Sequence, residues 1–189
     1  ERRVAMHGRR TQFFEKVVTE LNPQAYLTLI RQLLFDCGDV ITDILELRLA
    51  QKKAEGHALG KPISDKKLNE VCAKALDFFS KFCATFEDKK LHAIPEQIDE
   101  DNRVAFFRCL MRMAHVQSRC VAKTPHEEYD IIGATIRAYE RAVSFAAKNS
   151  LDHPNSEVYS ELQLAKEMVT LLPTKQRDIR AAFLVSNRQ

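Results

Sequence analysis

The residues of this chain that come nearest to a catalytic motif begin at His126. The segment His126-Glu127-Glu128-Tyr129-Asp130 starts like the HExxH motif of zinc proteases, in which two histidines one helical turn apart hold a single zinc ion. Asp130 stands where the second histidine would have to be. The motif is incomplete, and the sequence therefore predicts no metal site there.

Other kinds of catalytic site have no better candidates. Cys109, His115 and Cys120 fall on one predicted helix but point to different sides of it, so they do not form a set of metal ligands. No GxGxxG or GxxxxGK(S/T) loop is present to cradle a phosphate with backbone amides. Nothing favours a Cys-His nucleophile pair. We therefore expect a protein that is not an enzyme and that uses no cofactor or metal.

The composition is typical of a helical protein with a substantial apolar core. Of 189 residues, 45% are hydrophobic, and there are only five glycines and six prolines. Lysine and arginine (29) exceed aspartate and glutamate (26) by three, a balance that argues neither for nor against nucleic acid. No signal-peptide pattern opens the chain, and no apolar run approaches the roughly 20 residues of a membrane-spanning helix. The opening letters ERRVAMHGRR read as mid-helix, so residues 1–189 are interpreted as a single helical domain from a longer protein.

The cysteines favour a reducing compartment. They are odd in number and all fall within apolar helical stripes: Cys37, Cys72, Cys83, Cys109 and Cys120. In that setting a cysteine usually serves as a small buried hydrophobic residue. We therefore expect reduced thiols and a cytoplasmic protein.

Apolar periodicity and capping signals predict an all-α fold of six or seven helices, without strands. Ser64 and Thr124 are predicted to cap two of them, the second within a capping box that has proline in the first turn. The predicted helices cover residues 1–20, 23–56, 65–86, 99–121, 124–149, 152–173 and, as a short last helix, 174–184. Long helices joined by short turns are typical of an antiparallel, tetratricopeptide-like helical repeat or solenoid, here with unusually long helices.

The second predicted helix carries an unusually wide apolar arc. At 100° per residue, its apolar residues span roughly 160°, whereas a surface helix needs a stripe only about 100° wide. The arc contains Tyr26, Leu27, Leu29, Ile30, Leu33, Leu34, Cys37, Val40, Ile41, Ile44, Leu45 and Leu47. This helix is therefore expected to lie inside a stack, covered by two neighbours. In the preceding predicted helix, Met6, Phe13, Val17 and Leu21 mark the buried side.

Phe35 interrupts the polar arc on the opposite side of the long helix. We expect it to be at least half buried against another helix that crosses this side. The alternative is an exposed aromatic residue within a polar groove, which is the composition of an interface anchor.

Weak traces of a repeat support the helical-repeat interpretation. In tetratricopeptide repeats, the second helix carries a small residue, an aromatic four positions later and another small residue three beyond. Thr135, Tyr139 and Ala142 follow this pattern. Ala75 and Phe79 follow its first part, with Phe82 where alanine is usual. The predicted helices are longer than the standard unit permits, so degenerate repeats describe them better.

Two groups of charged residues have more than one interpretation. Arg103, Arg108, Arg112 and Arg119 lie along the fourth predicted helix, where they form a solvated face, contact adjacent helices or, alternatively, bind nucleic acid. The weak overall charge speaks against nucleic acid. An acidic group made of Glu96, Asp99, Glu100 and Asp101 either stabilises the positive end of the following helix or faces a basic protein surface.

Three segments resemble the C-terminal part of the kinesin-binding protein family. They are the opening residues with Arg2, Arg3, His7, Arg9 and Arg10, the stretch LNPQAYLTLIRQLLFD at 21–36, and ELQLAKEMVTLLPTK at 161–175. The last is the most specific, because its ending is not dictated by helix periodicity.

The resemblance implies a non-enzymatic regulatory protein whose partners are kinesin motor domains. Such a protein covers the microtubule-binding surface of the motor and prevents its attachment, which regulates microtubule-based and axonal transport. It implies a cytoplasmic, cytoskeleton-associated location, an indirect link to microtubules, and no nucleic-acid or membrane partner. Motor surfaces that grip acidic tubulin are basic, so Glu96, Asp99, Glu100 and Asp101, together with Phe35, become the candidate partner-binding residues. The alternative is a generic tetratricopeptide-like scaffold that binds a peptide or helix of another partner.

Overall fold

The part of the chain that the structure describes is entirely helical. A computed structural model describes residues 23–54, 64–86 and 100–186, and these ranges contain five helices and no strand. The helices are α1 (Pro23–Ala54), α2 (Asp65–Ala84), α3 (Glu100–Ser118), α4 (Pro125–Lys148) and α5 (Tyr159–Ser186). The predicted all-α class is confirmed. The first predicted helix, residues 1–20, lies outside the described residues.

The five helices pack in chain order. α1 contacts α2, α2 contacts α3, α3 contacts α4 and α4 contacts α5, while a smaller contact joins α1 to α3. α1, α3 and α5 therefore form one layer, and α2 and α4 form a second layer behind them.

Both predicted helix caps are present. The Ser64 side chain accepts a hydrogen bond from the Lys67 N–H at 3.4 Å, and the Thr124 side chain accepts one from the Glu127 N–H at 3.1 Å. The Glu127 carboxylate in turn accepts the N–H of Lys123 at 2.7 Å, one residue before the cap. These bonds satisfy helix N–H groups that have no partner within the helix, and they fix where α2 and α4 begin.

A row of aromatic rings joins the two layers through the core. Phe35 of α1 lies 5.6 Å from Phe82, which lies 5.2 Å from Phe86 at the end of α2. Phe86 then meets Phe106 of α3 at 5.2 Å, and Phe106 meets Phe145 of α4 at 4.7 Å, all between ring centroids. Rings at these separations add to the burial of apolar area, so the row helps to hold four helices together.

The residues of the two repeat traces are buried, as that pattern requires. Thr135, Tyr139 and Ala142 on α4 are at most 5% exposed, and Ala75 and Phe79 on α2 are fully buried. The tetratricopeptide-like solenoid itself stays a prediction, because the five described helices do not test a longer repeat.

The predicted end of a helix at Pro173 is wrong. α5 runs without interruption through Pro173 to Ser186, so the separate short helix at 174–184 does not exist. Proline costs one helical hydrogen bond, but packing beyond it favours continuation. Gln176 donates to the Tyr129 carbonyl at 3.1 Å, and Lys175 pairs with Glu128 at 3.2 Å. These contacts hold the second half of α5 on α4.

The predicted start of α5 near Pro154 is also wrong. α4 ends in a turn in which Ser150 has a φ of 58° and the Leu151 N–H bonds to the Ala146 carbonyl at 2.9 Å. A further turn follows, closed by the Ser156 N–H on the His153 carbonyl at 2.9 Å. The proline signal thus belongs to this turn, and the helix begins at Tyr159.

The wide apolar arc of α1 is covered on one side only within the described residues. Leu45 is fully buried against the core, and Leu34 and Ile41 are partly buried against it. On the other side, Val40 and Leu47 are 58% and 65% exposed. The expected second neighbour of this helix is not among the described helices.

Most cysteines behave as predicted. Cys72, Cys83 and Cys109 are buried and Cys120 is partly buried, with the Cys83 and Cys109 sulfurs 3.7 Å apart across α2 and α3. Burial raises the pKa of the Cys109 thiol, which keeps it uncharged. Cys37 is the exception, because it is exposed on α1.

Candidate protein-binding groove

A polar groove runs along the layer formed by α1, α3 and α5. One cavity of the groove, about 490 Å³, is lined by Phe35 and Asp39 of α1, Arg112 of α3, Tyr139 of α4 and Glu161 of α5. A second cavity of about 580 Å³ continues along α1 and α3. Phe35 lines both cavities, so it lies at their junction.

The arginines of α3 bridge the groove to α1. Arg112 Nε lies 2.9 Å from Asp39 Oδ1, and Arg119 Nε lies 2.8 Å from Glu46 Oε1. His115 Nε2 reaches the same Glu46 oxygen at 2.8 Å. The predicted contact of these arginines with a neighbouring helix is thereby confirmed.

Arg108 makes the corresponding bridge to α5. It lies 3.2 Å from Glu161 and 3.4 Å from Glu157. Since Arg108, Arg112 and Arg119 are each balanced by a carboxylate, this helix face presents both signs of charge rather than a basic stripe. That arrangement does not favour the nucleic-acid interpretation.

The two carboxylates that α1 contributes to the groove have opposite pKa shifts. Burial raises the pKa of Asp39, and the nearby charge of Arg112 only partly opposes this. The Arg112 contact has the distance of an ion pair, yet Asp39 Oδ1 is buried without a hydrogen bond from any described residue. For Glu46, partial burial raises the pKa, but the hydrogen bonds from Arg119 and His115 outweigh it and hold the pKa below its usual value.

Phe35 is buried on one side against a neighbouring helix and exposed on the other side to the groove. Its ring is partly buried and packs edge-on against Phe79 and Phe82 of α2, with centroids 5.9 and 5.6 Å away. The expected burial against another helix is confirmed. The remaining surface of the ring faces the groove, so the residue is still available as a contact point for a partner.

Two of the four acidic candidates lie at the beginning of α3, next to a residue that lines the groove. Glu100 is the first residue of α3 and Asp101 follows it in the first helical turn, while Glu96 and Asp99 lie outside the described residues. Asn102, the next residue along, lines the same cavity as Phe35. The structure thus places the beginning of α3 beside one of the two cavities that Phe35 lines.

The other groove carboxylates were missed at the sequence level although a signal for them exists. The four α3 residues at positions 108, 112, 115 and 119 follow helical spacing along one face. Asp39 and Glu46 lie seven residues apart on α1, and Glu157 and Glu161 lie four residues apart around the start of α5. Matching the basic row to the two acidic rows predicts which helices lie on either side of α3.

Arg31 has a structural role that the sequence did not reveal. Its Nε donates to Thr85 Oγ1 and its Nη2 to the Thr85 carbonyl, both at 3.0 Å. The guanidinium carbon also lies 3.6 Å from the centre of the Phe86 ring. Arg31 therefore ties α1 to the C-terminal end of α2, where carbonyl groups attract a positive charge.

The described residues contain neither a cluster of metal ligands nor a membrane-spanning helix. In the ranges 23–54, 64–86 and 100–186, no three His, Cys, Asp or Glu side chains converge on a point that could hold a metal ion. Among the helices α1 to α5, none combines the length and the apolarity that crossing a bilayer requires.

Comparison with known proteins identifies relatives along the whole chain. Residues 1–179 match the family profile described as KIF-1 binding protein C terminal. The KIF-binding proteins of Bos taurus and Homo sapiens are each 30% identical over 192 residues, which cover 98% of this chain and 29% of the relative. The KIF-binding protein of Drosophila melanogaster is 21% identical over 183 residues, covering 96% of this chain and 30% of the relative.

The chain spans less than a third of the length of these curated relatives. No solved structure gives a significant match. Because the family profile covers nearly all of the sequence, the chain belongs to the KIF-1 binding protein C-terminal family.

Proposed function

We propose that this chain is the C-terminal part of a regulatory protein that binds kinesin motor domains. The observation that carries the proposal is the family match over residues 1–179, together with relatives whose name states KIF binding. Binding alone accounts for such a role, and neither a catalytic group nor a cofactor is needed for it.

The proposed consequence of binding is that the motor cannot attach to its track. A protein seated on the microtubule-binding surface of the motor excludes the microtubule by competition. This would regulate microtubule-based transport, including axonal transport, from a cytoplasmic location associated with the cytoskeleton only through the motor.

The groove has the chemical character that such a partner requires. It is a polar trough along the layer of α1, α3 and α5, and a groove on a stack of helices is of the kind that accepts a helix of another protein. Asp39, Glu157 and Glu161 line its sides, Glu46 pairs with the groove residue His115, and Phe35 contributes an apolar surface at the junction of its two cavities. Motor surfaces that grip acidic tubulin are basic, so carboxylates are expected to face them. We expect the acidic group formed by Glu96, Asp99, Glu100 and Asp101 to add to this negative character.

A microtubule co-sedimentation assay tests the proposal. Kinesin motor domain is mixed with microtubules and increasing amounts of this chain or of an N-terminally extended version. We expect the extended protein to co-elute with the motor and to lower the fraction of motor that pellets. The proposal is wrong if the extended protein binds no motor domain and leaves pelleting unchanged. Binding of the motor without any change in pelleting would retain kinesin binding but reject competition with the microtubule.

A further inference from the structure

An apolar stripe runs along α1 on the side that faces away from α2. Its large side chains are well exposed: Leu29 48%, Leu33 55%, Val40 58%, Ile44 39% and Leu47 65%. Cys37, also exposed, falls in the same row. Successive members are three or four residues apart, which is the spacing of a seam between two helices.

The size of this stripe indicates a surface that is normally covered. From Leu29 to Leu47 it extends about 27 Å along the helix at 1.5 Å per residue. Scattered exposed apolar residues are ordinary, but a continuous row of this length marks an interaction surface.

The residues immediately before α1 have a matching apolar row. Met6, Phe13 and Val17 share one face of a helix, and Leu21 lies beside them. A helix from residue 1 to about residue 20 would be about 30 Å long, which equals the stripe in length. Only Leu21 and Asn22 separate it from Pro23, the first residue of α1, so it would fold back in an antiparallel hairpin.

The charges that flank the two rows are complementary in the same arrangement. Asp36 and Asp43 lie seven residues apart along one edge of the stripe and are both exposed. Arg2 and Arg9, also seven apart, lie along one edge of the row in the preceding segment. Viewed along each helix from its N-terminus, the charged edge lies on the same side of the apolar row in both segments. When two helices pack antiparallel, edges on the same side face each other.

One register satisfies the charges and the apolar residues together. Residues whose numbers add to 45 or 46 lie opposite each other in this hairpin. Arg9 then faces Asp36, and Arg2 faces Asp43. The same register places the following apolar residues side by side: Met6 with Val40, Phe13 with Leu33, and Val17 with Leu29.

We propose that residues 1–20 form a helix that covers the apolar stripe of α1 in this antiparallel register, held in place by Arg9–Asp36 and Arg2–Asp43 ion pairs. A second copy of the chain is a poorer occupant. Two stripes packed antiparallel and centred on each other would put Asp36 of one copy only about three residues, roughly 4.5 Å along the axis, from Asp43 of the other, and like charges repel.

Thiol labelling of Cys37 tests the proposal in the complete chain, because this residue lies within the seam. A thiol reagent is applied to the native protein, and mass spectrometry locates the label. We expect Phe13→Asp to raise the labelling rate of Cys37 at least tenfold over the unsubstituted chain. Glu15→Gln, on the opposite side of the same segment, is the matched control and should leave the rate unchanged. Equal rates for Cys37 in the Phe13→Asp variant and the unsubstituted chain would overturn the proposal.

The buried cysteines show whether a variant has unfolded as a whole. Cys83 and Cys109 are at most 4% exposed, so they should stay unlabelled while Cys37 reacts. If Cys83 and Cys109 also react in the Phe13→Asp variant, that variant has unfolded, and charge variants with a milder effect test the proposal instead. Asp36→Arg should raise the Cys37 rate several-fold, and combining it with Arg9→Asp should restore protection. Failure of the double variant to restore it would reject the register.

Sedimentation at several protein concentrations distinguishes the proposed helix from a second copy of the chain as the cover of the stripe. We expect a monomer in which protection of Cys37 does not change on dilution. A dimer in which Cys37 becomes reactive on dilution would identify a second copy as the cover and would overturn the proposal.

Discussion

The ring of Phe79 lies so close to the backbone of Gly38 that no side chain fits between them. A Cβ atom added at position 38 would be 2.5 Å from Cε1 of the ring and 2.7 Å from Cζ. Phe79 is fully buried, and the Thr42 hydroxyl donates to the Gly38 carbonyl at 2.8 Å. The absence of a side chain at Gly38, inside the continuous 32-residue helix α1, therefore lets α1 and α2 approach each other closely.

Replacing Gly38 by alanine should destabilise the protein. Helix propensity alone favours alanine by about 1 kcal/mol, but overpacking a rigid aromatic ring costs about 1–3 kcal/mol or more. We expect the free energy of unfolding to fall by about 1–2 kcal/mol, measured by equilibrium urea denaturation. Combining Gly38→Ala with Phe79→Leu should cost less than the sum of the two single changes, because the smaller side chain relieves the clash.

Gly133 on α4 offers a matched control. A Cβ atom there would come within 2.9 Å of Gln176 Nε2, the far end of a flexible side chain that can move away. Gly133→Ala should therefore change the free energy of unfolding by less than about 1 kcal/mol. An equal loss for both alanine variants would contradict the packing explanation of Gly38.

Helix positions could be predicted from the sequence because their signals are local. Ser64 and Thr124 cap α2 and α4 through residues three positions away. The contact of Gly38 with Phe79 could not be predicted, because it depends on which helices pack together and on their relative position along the helix axes. The continuation of α5 past Pro173 has the same origin, since contacts with Tyr129 and Glu128 outweigh a local stop signal.

Replacing Pro173 by alanine should stabilise α5. Proline has no N–H to donate to the Val169 carbonyl, and its ring crowds the preceding turn, at a typical cost of about 3 kcal/mol. We expect Pro173→Ala to raise the free energy of unfolding by about 1–3 kcal/mol and to increase helical circular dichroism slightly. A loss of stability would show that packing of the proline ring contributes more than the missing hydrogen bond costs.

Replacing Arg31 by lysine should weaken the junction of α1 and α2. Lysine keeps the charge but loses the planar pair of donors that bonds Thr85, and it stacks less well on Phe86. We expect a loss of about 1–2 kcal/mol in the free energy of unfolding from urea denaturation. Arg137→Lys, at an exposed position on α4, is the control and should change it by less than about 0.5 kcal/mol.

The stabilising effect of Glu46 should depend on pH. Since its folded pKa is below the usual value, the ionised form is favoured in the folded state. The contribution is fully present above the usual glutamate pKa and is lost as pH falls through the lower folded value. Glu46 is about 40% exposed, so solvent screening limits the contribution to about 0.5–1 kcal/mol.

The measurement compares Glu46→Gln with the unsubstituted chain from pH 7 to pH 3. We expect the variant to be less stable at pH 7 and the difference to shrink steadily below about pH 4.5. Glu140→Gln removes an exposed carboxylate from α4 that forms no ion pair among the described residues, and serves as control. A difference for Glu46→Gln that grows on acidification would contradict the assigned shift.

The candidate site could be predicted only in part, because its charges are shared between helices distant in sequence. Phe35 stood out as an apolar residue on a polar arc, and the arginine row of α3 stood out by its spacing. Their partners Asp39 and Glu161 did not, because each looks like an ordinary surface residue on its own helix. Only the packing of α1 and α5 against α3 gives them a common location.

Reversing the charge of the acidic residues before and at the beginning of α3 tests their proposed contact with a kinesin motor domain. We expect the triple variant Glu96→Lys, Asp99→Lys and Asp101→Lys to weaken binding of a kinesin motor domain about tenfold, mostly through slower association. The loss should diminish at high salt, because exposed charges are screened. Asp152→Lys, exposed in the turn between α4 and α5, is the control and should bind as the unsubstituted chain does. If the triple variant instead melts at a lower temperature and binds normally, these carboxylates serve the N-terminal end of α3 and the motor contacts another part of the protein.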